Sequence, residues 1–247
     1  VTGQTYTRKV DYSITSALSM LAQSAHKFSL DLRLLQHMKE VEEPFEKSQI
    51  GSSAMAYKRN PMRSERITSL ARYLISLPVN AAMTSSIQGF ERTLDDSANR
   101  RVVMGQAFLT ADAILELLLN ITDGLVVYKK VIAQHIKEEL PFMATEVILM
   151  ECAKAGGDRQ ELHEKIRAHS MAAEKLYRET GKPKDLIKRL KADPAFKAIQ
   201  DYDKILKPSL FIGRAKEQVG EFLKSEVAPI LKKHKDTLGA HSGKIEI

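Results

Sequence analysis

Ile14, Leu18, Leu21, Ala25, Phe28, Leu32 and Leu35 recur at alternating spacings of four and three. This is the a/d seam of a bundle helix rather than the broad stripe of a globular surface helix. A continuous helix over residues 10–39 is about 45 Å long at 1.5 Å per residue, more than a small domain needs, so the seam requires long partner helices. Residues 63–86 read as a second helix perturbed at Pro78. Residues 97–122 read as a third, apolar on nearly every side through Val102, Phe108, Leu109, Ile114, Leu115 and Leu119. A helix lacking a polar face must be covered all round, and other subunits are the expected cover, so seam and helix together predict an oligomeric core.

The texture changes at Gly124–Tyr128, where Leu125, Val126 and Val127 form either a short extended piece or a helix end. Beyond it, shorter helical segments are punctuated by Pro141, Gly156-Gly157, Gly181-Lys182-Pro183, Pro194, Pro208 and Pro229. Alternating runs long enough for a strand, repeats and low-complexity tracts are all missing. The expectation is an all-α chain, with a long-helix bundle over residues 1–127 and a smaller helical domain over 128–247.

With 247 residues, 43% of them hydrophobic, the chain can bury a sizeable core. One cysteine, Cys152, excludes an intramolecular disulfide and fits a reducing compartment. No apolar stretch approaches a bilayer span and no signal pattern opens the chain, so a cytoplasmic, non-membrane protein is expected. The net charge of +7 is spread along the chain, with 6% aromatic residues and no zinc-finger or RNP-like motif, which argues against nucleic acid and for a small polyanion held by arginine forks. The seven histidines lack metal-ligand spacing, so no metal is expected.

The connection from Glu42 to Pro61 is too long for a mere link. Within it GSSAMAYKRNP, residues 51–61, sets two serine hydroxyls, two cations and an amide between a glycine and a proline. Ser52 has no nucleophile-elbow context, which disfavours a serine hydrolase. The stretch resembles the GSSxMPxKxNP loop of the fumarase/aspartase superfamily, departing only at Ala56, a change that loosens the loop but removes no catalytic group. MRSER at 62–66, FERTLDDSANRR at 90–101 and VTGQTYTRKVD at 1–11 resemble the adenylosuccinate lyase family within it.

That resemblance implies a long helical bundle assembled as a homotetramer, with active sites shared between three subunits. It implies elimination of fumarate from a nucleotide carrying a succinyl group: adenylosuccinate, giving AMP, and succinylaminoimidazole carboxamide ribotide, both in purine synthesis. No cofactor or metal is needed. By the same resemblance Ser52 is the general base, Lys58 its electrostatic support, and Lys58 and Asn60 the carboxylate contacts. Gln4, Arg66, Arg92, Ser97 and Arg101 bind substrate, while Glu65 either orients a catalytic histidine or is simply an exposed glutamate at a helix start. Ser97 also reads as an N-cap, and Asp95 or Asp96 could pair with Arg100 and Arg101. The family's catalytic histidine segments precede this portion, so the chain alone is expected to show little or no activity. The alternative is a non-catalytic interaction subunit that retains the lyase core.

Overall fold

The computed structural model describes residues 3–45, 55 and 57–238. The chain divides into two compact units, one running to Tyr128 and the other spanning Lys129–Asp236. The first holds helices α1 (Lys9–His37), α2 (Met62–Ser76), α3 (Pro78–Ser86) and α4 (Asp96–Asp123), with two-residue strands β1 (Val41–Glu42) and β2 (Val126–Val127). Lys39, at φ 62°, turns the chain out of α1. The strands pair antiparallel, Val41 opposite Val127 and Glu42 opposite Val126, and the Tyr128 amide donates to the Glu40 carbonyl at 2.8 Å. Residues 125–127 are therefore an extended piece rather than a helix end. The pairing ties the last turns of α1 and α4 together, so these two helices run parallel, with α2 and α3 returning between them.

The buried stripe of α1 is Asp11, Thr15, Ser19, Ala22, Ala25, Ser29 and Leu32, which corrects the seam expected from the leucines. Ala25 and Leu32 belong to both, but Ile14, Leu18, Leu21 and Leu35 are half-buried and Phe28 is exposed. Small residues bring the backbones of α2 and α4 close to α1, and the larger apolar side chains sit at the margin of the core. That core continues through Ile67, Ala71 and Leu74 of α2 and Ala107, Ile114 and Ile121 of α4.

The second helix expected from sequence is two helices. α2 ends at Ser76 and Pro78 opens α3, where its fixed φ and missing N–H suit a first turn. α4 buries Val103, Ala107, Ala111, Ile114 and Leu117, whereas Val102, Phe108, Leu109, Leu115 and Leu119 face outward. It also corrects the statement that no stretch approaches a bilayer span. An 18-residue window of α4 has a mean hydropathy of 1.7 with 33% of it buried, so by length and composition this one helix is long and apolar enough. Asp112 and Glu116 interrupt the apolar run without lowering the average much.

The second unit comprises α5 (Lys129–Met143), α6 (Thr145–Lys154), α7 (Arg159–Thr180), α8 (Leu186–Ala192), α9 (Tyr202–Ile205), α10 (Ala215–Phe222) and α11 (Ala228–Lys233). Its core gathers Ile148, Leu149, Cys152, Leu162, Leu186, Leu190, Phe196 and Tyr202. Asp158 caps α7, accepting from the amides of Gln160 at 2.9 Å and Glu161 at 2.8 Å. Gly181, at φ 68°, ends that helix with its N–H on the Tyr177 carbonyl, a left-handed cap that glycine adopts without strain. Two expected breaks are not breaks. Pro141 lies in the last turn of α5, which continues to Met143. Pro229 follows a π-turn at Leu223–Val227 that carries the helical path from α10 into α11, the wider turn accommodating the ring and the missing donor.

Candidate active site

Two sets of expected site residues sit at the two ends of α1. At its carboxy-terminal end α2 begins after Pro61, which makes no side-chain cap, and the orphan amides need another acceptor. Glu43, 4% exposed, supplies it. Its carboxylate accepts from the Arg63 amide at 2.8 Å, and from the Ser64 amide and Ser64 Oγ at 3.0 Å each, where the helix dipole also favours a negative charge. Gln36 bridges the two stems of the connection, accepting from the Glu43 amide and donating to the Arg59 carbonyl, both at 3.3 Å. Arg63, fully buried, donates to the Pro44 carbonyl. Any Cβ on residue 124 would lie 2.5 Å from the Pro44 ring, so only glycine lets α4 end against this stem.

On this base stand the chemistry-bearing groups. Asn60 and Glu65 line an open groove of about 360 Å³ together with Arg33 and His37. Arg33 donates to Thr68 Oγ1 at 3.3 Å and approaches the Glu65 carboxylate at 3.9 Å. Arg59 instead pairs with Glu42 at 3.3 Å and lies 5.0 Å over the Phe45 ring. The Tyr128 hydroxyl donates to Glu42 at 2.7 Å, and this bond, followed by burial, raises the phenol's pKa. Lys58 and Arg66 are exposed, and among the described residues neither has an ion-pair partner. Ser52 and Ala56 lie outside the described residues.

At the amino-terminal end of α1, the Gln4 amide donates to the Glu91 carboxylate at 3.3 Å, which places Gln4 beside the segment bearing Arg92. Gln88 donates to the Glu91 carbonyl at 2.9 Å and accepts from the Arg8 amide at 3.4 Å. Two ion pairs then join α1 to α4: Arg8 with Asp96, both buried, and Arg100 with Asp11. The Tyr6 hydroxyl donates to Asp11 at 2.9 Å and accepts from Arg100. Burial alone raises the Asp11 carboxyl, but hydrogen bonds from Arg100 and Tyr6 and the charges of Arg100 and Arg8 hold it below the usual carboxylate value.

Ser97 is not the N-cap expected of it. α4 starts at Asp96, Asp95 occupies the cap in a helical conformation without a side-chain cap bond, and Thr93 donates to Asp95 at 2.9 Å. Asp96 pairs with Arg8 and Arg100 with Asp11, so neither expected pairing forms: Asp95 accepts from Thr93 and has no ion pair with Arg100 or Arg101. Arg92 and Arg101 are exposed, without an ion-pair partner among the described residues. Sequence reasoning missed Tyr6, Arg8 and Asp11, whose partners on α4, Asp96 and Arg100, are more than 80 residues away, and their only sequence signal was the clustering of opposite charges in both motifs.

Lys58, Asn60, Glu65 and Arg66 are thus brought together at one end, and Gln4, Arg92, Ser97 and Arg101 at the other. The 29-residue α1 separates the groups by about 43 Å. Among the described residues no group of three or more His, Cys, Asp or Glu is placed to hold a metal.

Residues 4–75 match the family model for lyases and residues 141–222 that for the adenylosuccinate lyase C-terminus. Adenylosuccinate lyase of Saccharomyces cerevisiae is 54% identical over 248 residues, 100% of this chain and 52% of the relative. That of Schistosoma mansoni is 50% identical over 244 residues, 98% and 51%. The chain belongs to the adenylosuccinate lyase family. It spans about half the length of the curated relatives it matches. Among solved structures, the 3-carboxy-cis,cis-muconate lactonizing enzyme of Pseudomonas putida superposes with a TM-score of 0.71 at 21% identity, covering 85% of this chain and 46% of that one. The fumarate lyase of Mesorhizobium sp. BNC1 gives 0.70 at 19%, covering 89% and 48%. These likenesses show the fold, and the family's all-helical architecture is the one observed.

Proposed function

We propose that the protein containing this chain eliminates fumarate from adenylosuccinate, giving AMP, and from succinylaminoimidazole carboxamide ribotide, both steps of purine synthesis. Family membership carries the reading, with the 51–61 loop retained apart from Ala56. In it Ser52 removes the proton alpha to a substrate carboxylate. Lys58 stabilises the alkoxide and, with Asn60, the carboxylate that gains negative charge as the carbanion forms; fixed donors and cations in a site closed to water are the usual source of such stabilisation. The carbon–nitrogen bond then breaks, and an acid outside the described groups protonates the leaving nitrogen. Arg101, Arg92 and Ser97 hold the nucleotide phosphate, while Gln4 and Arg66 complete substrate binding.

The separation along α1 supports a site assembled between copies, in which the loop end of one chain meets the α4 start of another. The outward faces of α4 and of the α1 seam support a homotetramer that covers them. A buried, reduced Cys152, whose thiol burial pushes up in pKa, supports a cytoplasmic setting. No observation favours the non-catalytic alternative. Incubating the full-length protein with adenylosuccinate and following fumarate by ultraviolet absorbance tests the reading: equimolar fumarate and AMP are expected, and an assembled, folded oligomer that releases neither contradicts it.

A further inference from the structure

The structure assigns a positioning role to the Tyr6–Asp11–Arg100 cluster: it holds the first turns of α4 so that Arg101 presents its charge to the substrate phosphate. The inference rests on the phosphate-binding reading of Arg101 given above. Two adjacent arginines near a helix N-terminus are held against the helix dipole, and they have opposite fates. Arg100 is turned inward onto Asp11 and the Tyr6 hydroxyl, whereas Arg101 is exposed and lacks an ion-pair partner among the described residues. Two guanidinium groups approach the Tyr6 ring, Arg8 at 4.9 Å and Arg100 at 5.6 Å from its centre. Arg8 in turn holds Asp96, the first residue of α4.

Asp11 and Asp96 are thereby engaged, Asp95 accepts only from Thr93, and the α4 arginine left without an ion-pair partner among the described residues is Arg101. The cluster also fixes rotation. Successive helix residues point about 100° apart, so clamping Arg100 to α1 determines where Arg101 points. Tyr6 touches both Asp11 and Arg100 through one hydroxyl, so removing that oxygen loosens the clamp while keeping the ring beside Arg8 and Arg100.

Calorimetric titration of AMP into the full-length enzyme, with steady-state kinetics, tests the assignment. Tyr6→Phe is expected to weaken AMP binding and raise KM by roughly fivefold, with kcat changed less than about twofold and only a small fall in thermal midpoint from the lost hydrogen bond to Asp11. In an Arg101→Ala background the same change is expected to cost less than about twofold, because its effect passes through Arg101. Should Tyr6→Phe disturb folding, Arg100→Lys, which keeps the charge and loses the planar fork, must show the same split. Equal losses in both backgrounds, or unchanged AMP affinity in the single variant, would overturn the clamp while leaving the phosphate site standing. Unchanged affinity in Arg101→Ala itself would overturn both.

Discussion

The two ends of the first unit solve one problem by different means. Each carries exposed cations, Lys58 and Arg66 at one end and Arg92 and Arg101 at the other, above a buried polar support. At the loop end the support is a single carboxylate, Glu43, that caps backbone amides and pins the stems of a long connection. At the α4 end it is a lattice of side-chain ion pairs across helices. Backbone capping fixes where a segment begins, as would suit the loop to which the proposed function gives the base. Crossed ion pairs fix the rotation of a helix, as would suit the phosphate contact of the proposed function. Under the proposed function the base belongs to one end and the phosphate contacts to the other, with Arg66 at the loop end adding to substrate binding.

The largest expected difference between the ends is in turnover. Ser52→Ala should lower kcat by about 10² to 10⁴-fold, the usual range for general acid–base catalysis, while AMP affinity by calorimetry is retained; intact turnover contradicts the assignment of the base. Next, Glu43→Ala should destabilise the fold by about 2 to 4 kcal/mol, because the Arg63 and Ser64 amides and the Ser64 hydroxyl lose a charged acceptor in a buried place. Urea denaturation measures this, and a loss under about 1 kcal/mol would mean that water or another group caps α2. Arg101→Ala should weaken AMP binding by about 1.5 to 3 kcal/mol, one charge-assisted hydrogen bond, with a smaller change in kcat.

A smaller effect separates the supports by pH. The folded-state pKa of Asp11 is depressed, so its contribution to stability is complete above the unfolded value, near 3.8, and is lost as pH falls through the lower folded value. In the second unit Asp193 behaves alike: a hydrogen bond from His169, the Ala195 amide and Lys165 hold it below 3.8. The thermal midpoint should carry no loss from these two groups between pH 7 and about 5, and decline below 3.8. Asp11→Asn should flatten part of that decline, and an acid limb unchanged by it would remove Asp11 from the account.

The helices of the first unit were legible because long apolar periodicities survive averaging. The face α1 buries was not, because its small and polar residues, Thr15, Ser19 and Ser29, are selected by closeness of approach, which hydrophobicity does not report. Pro78 was visible as a disturbance, but whether it kinks or splits a helix depends on packing around Leu77. The 51–61 loop could be singled out from local composition, whereas the motifs bearing Gln4, Arg66, Arg92, Ser97 and Arg101 were legible only through the family resemblance. Their supports could not, since Glu43 acts across 20 residues and Arg8 and Arg100 across nearly 90. No sequence pattern announced that the motifs would stand a helix length apart.

That separation is the central claim, and mixing two defective chains tests it most directly. Ser52→Ala and Arg101→Glu full-length proteins, each inactive alone, are dissociated, mixed in equal amounts and reassembled, with fumarate release as the readout. If the loop end of one chain meets the α4 end of another, activity should return to roughly a quarter of wild type, the statistical share of sites with two intact contributors. Mixed oligomers no more active than their parents would show that both ends serve a site within one chain, and would contradict the account.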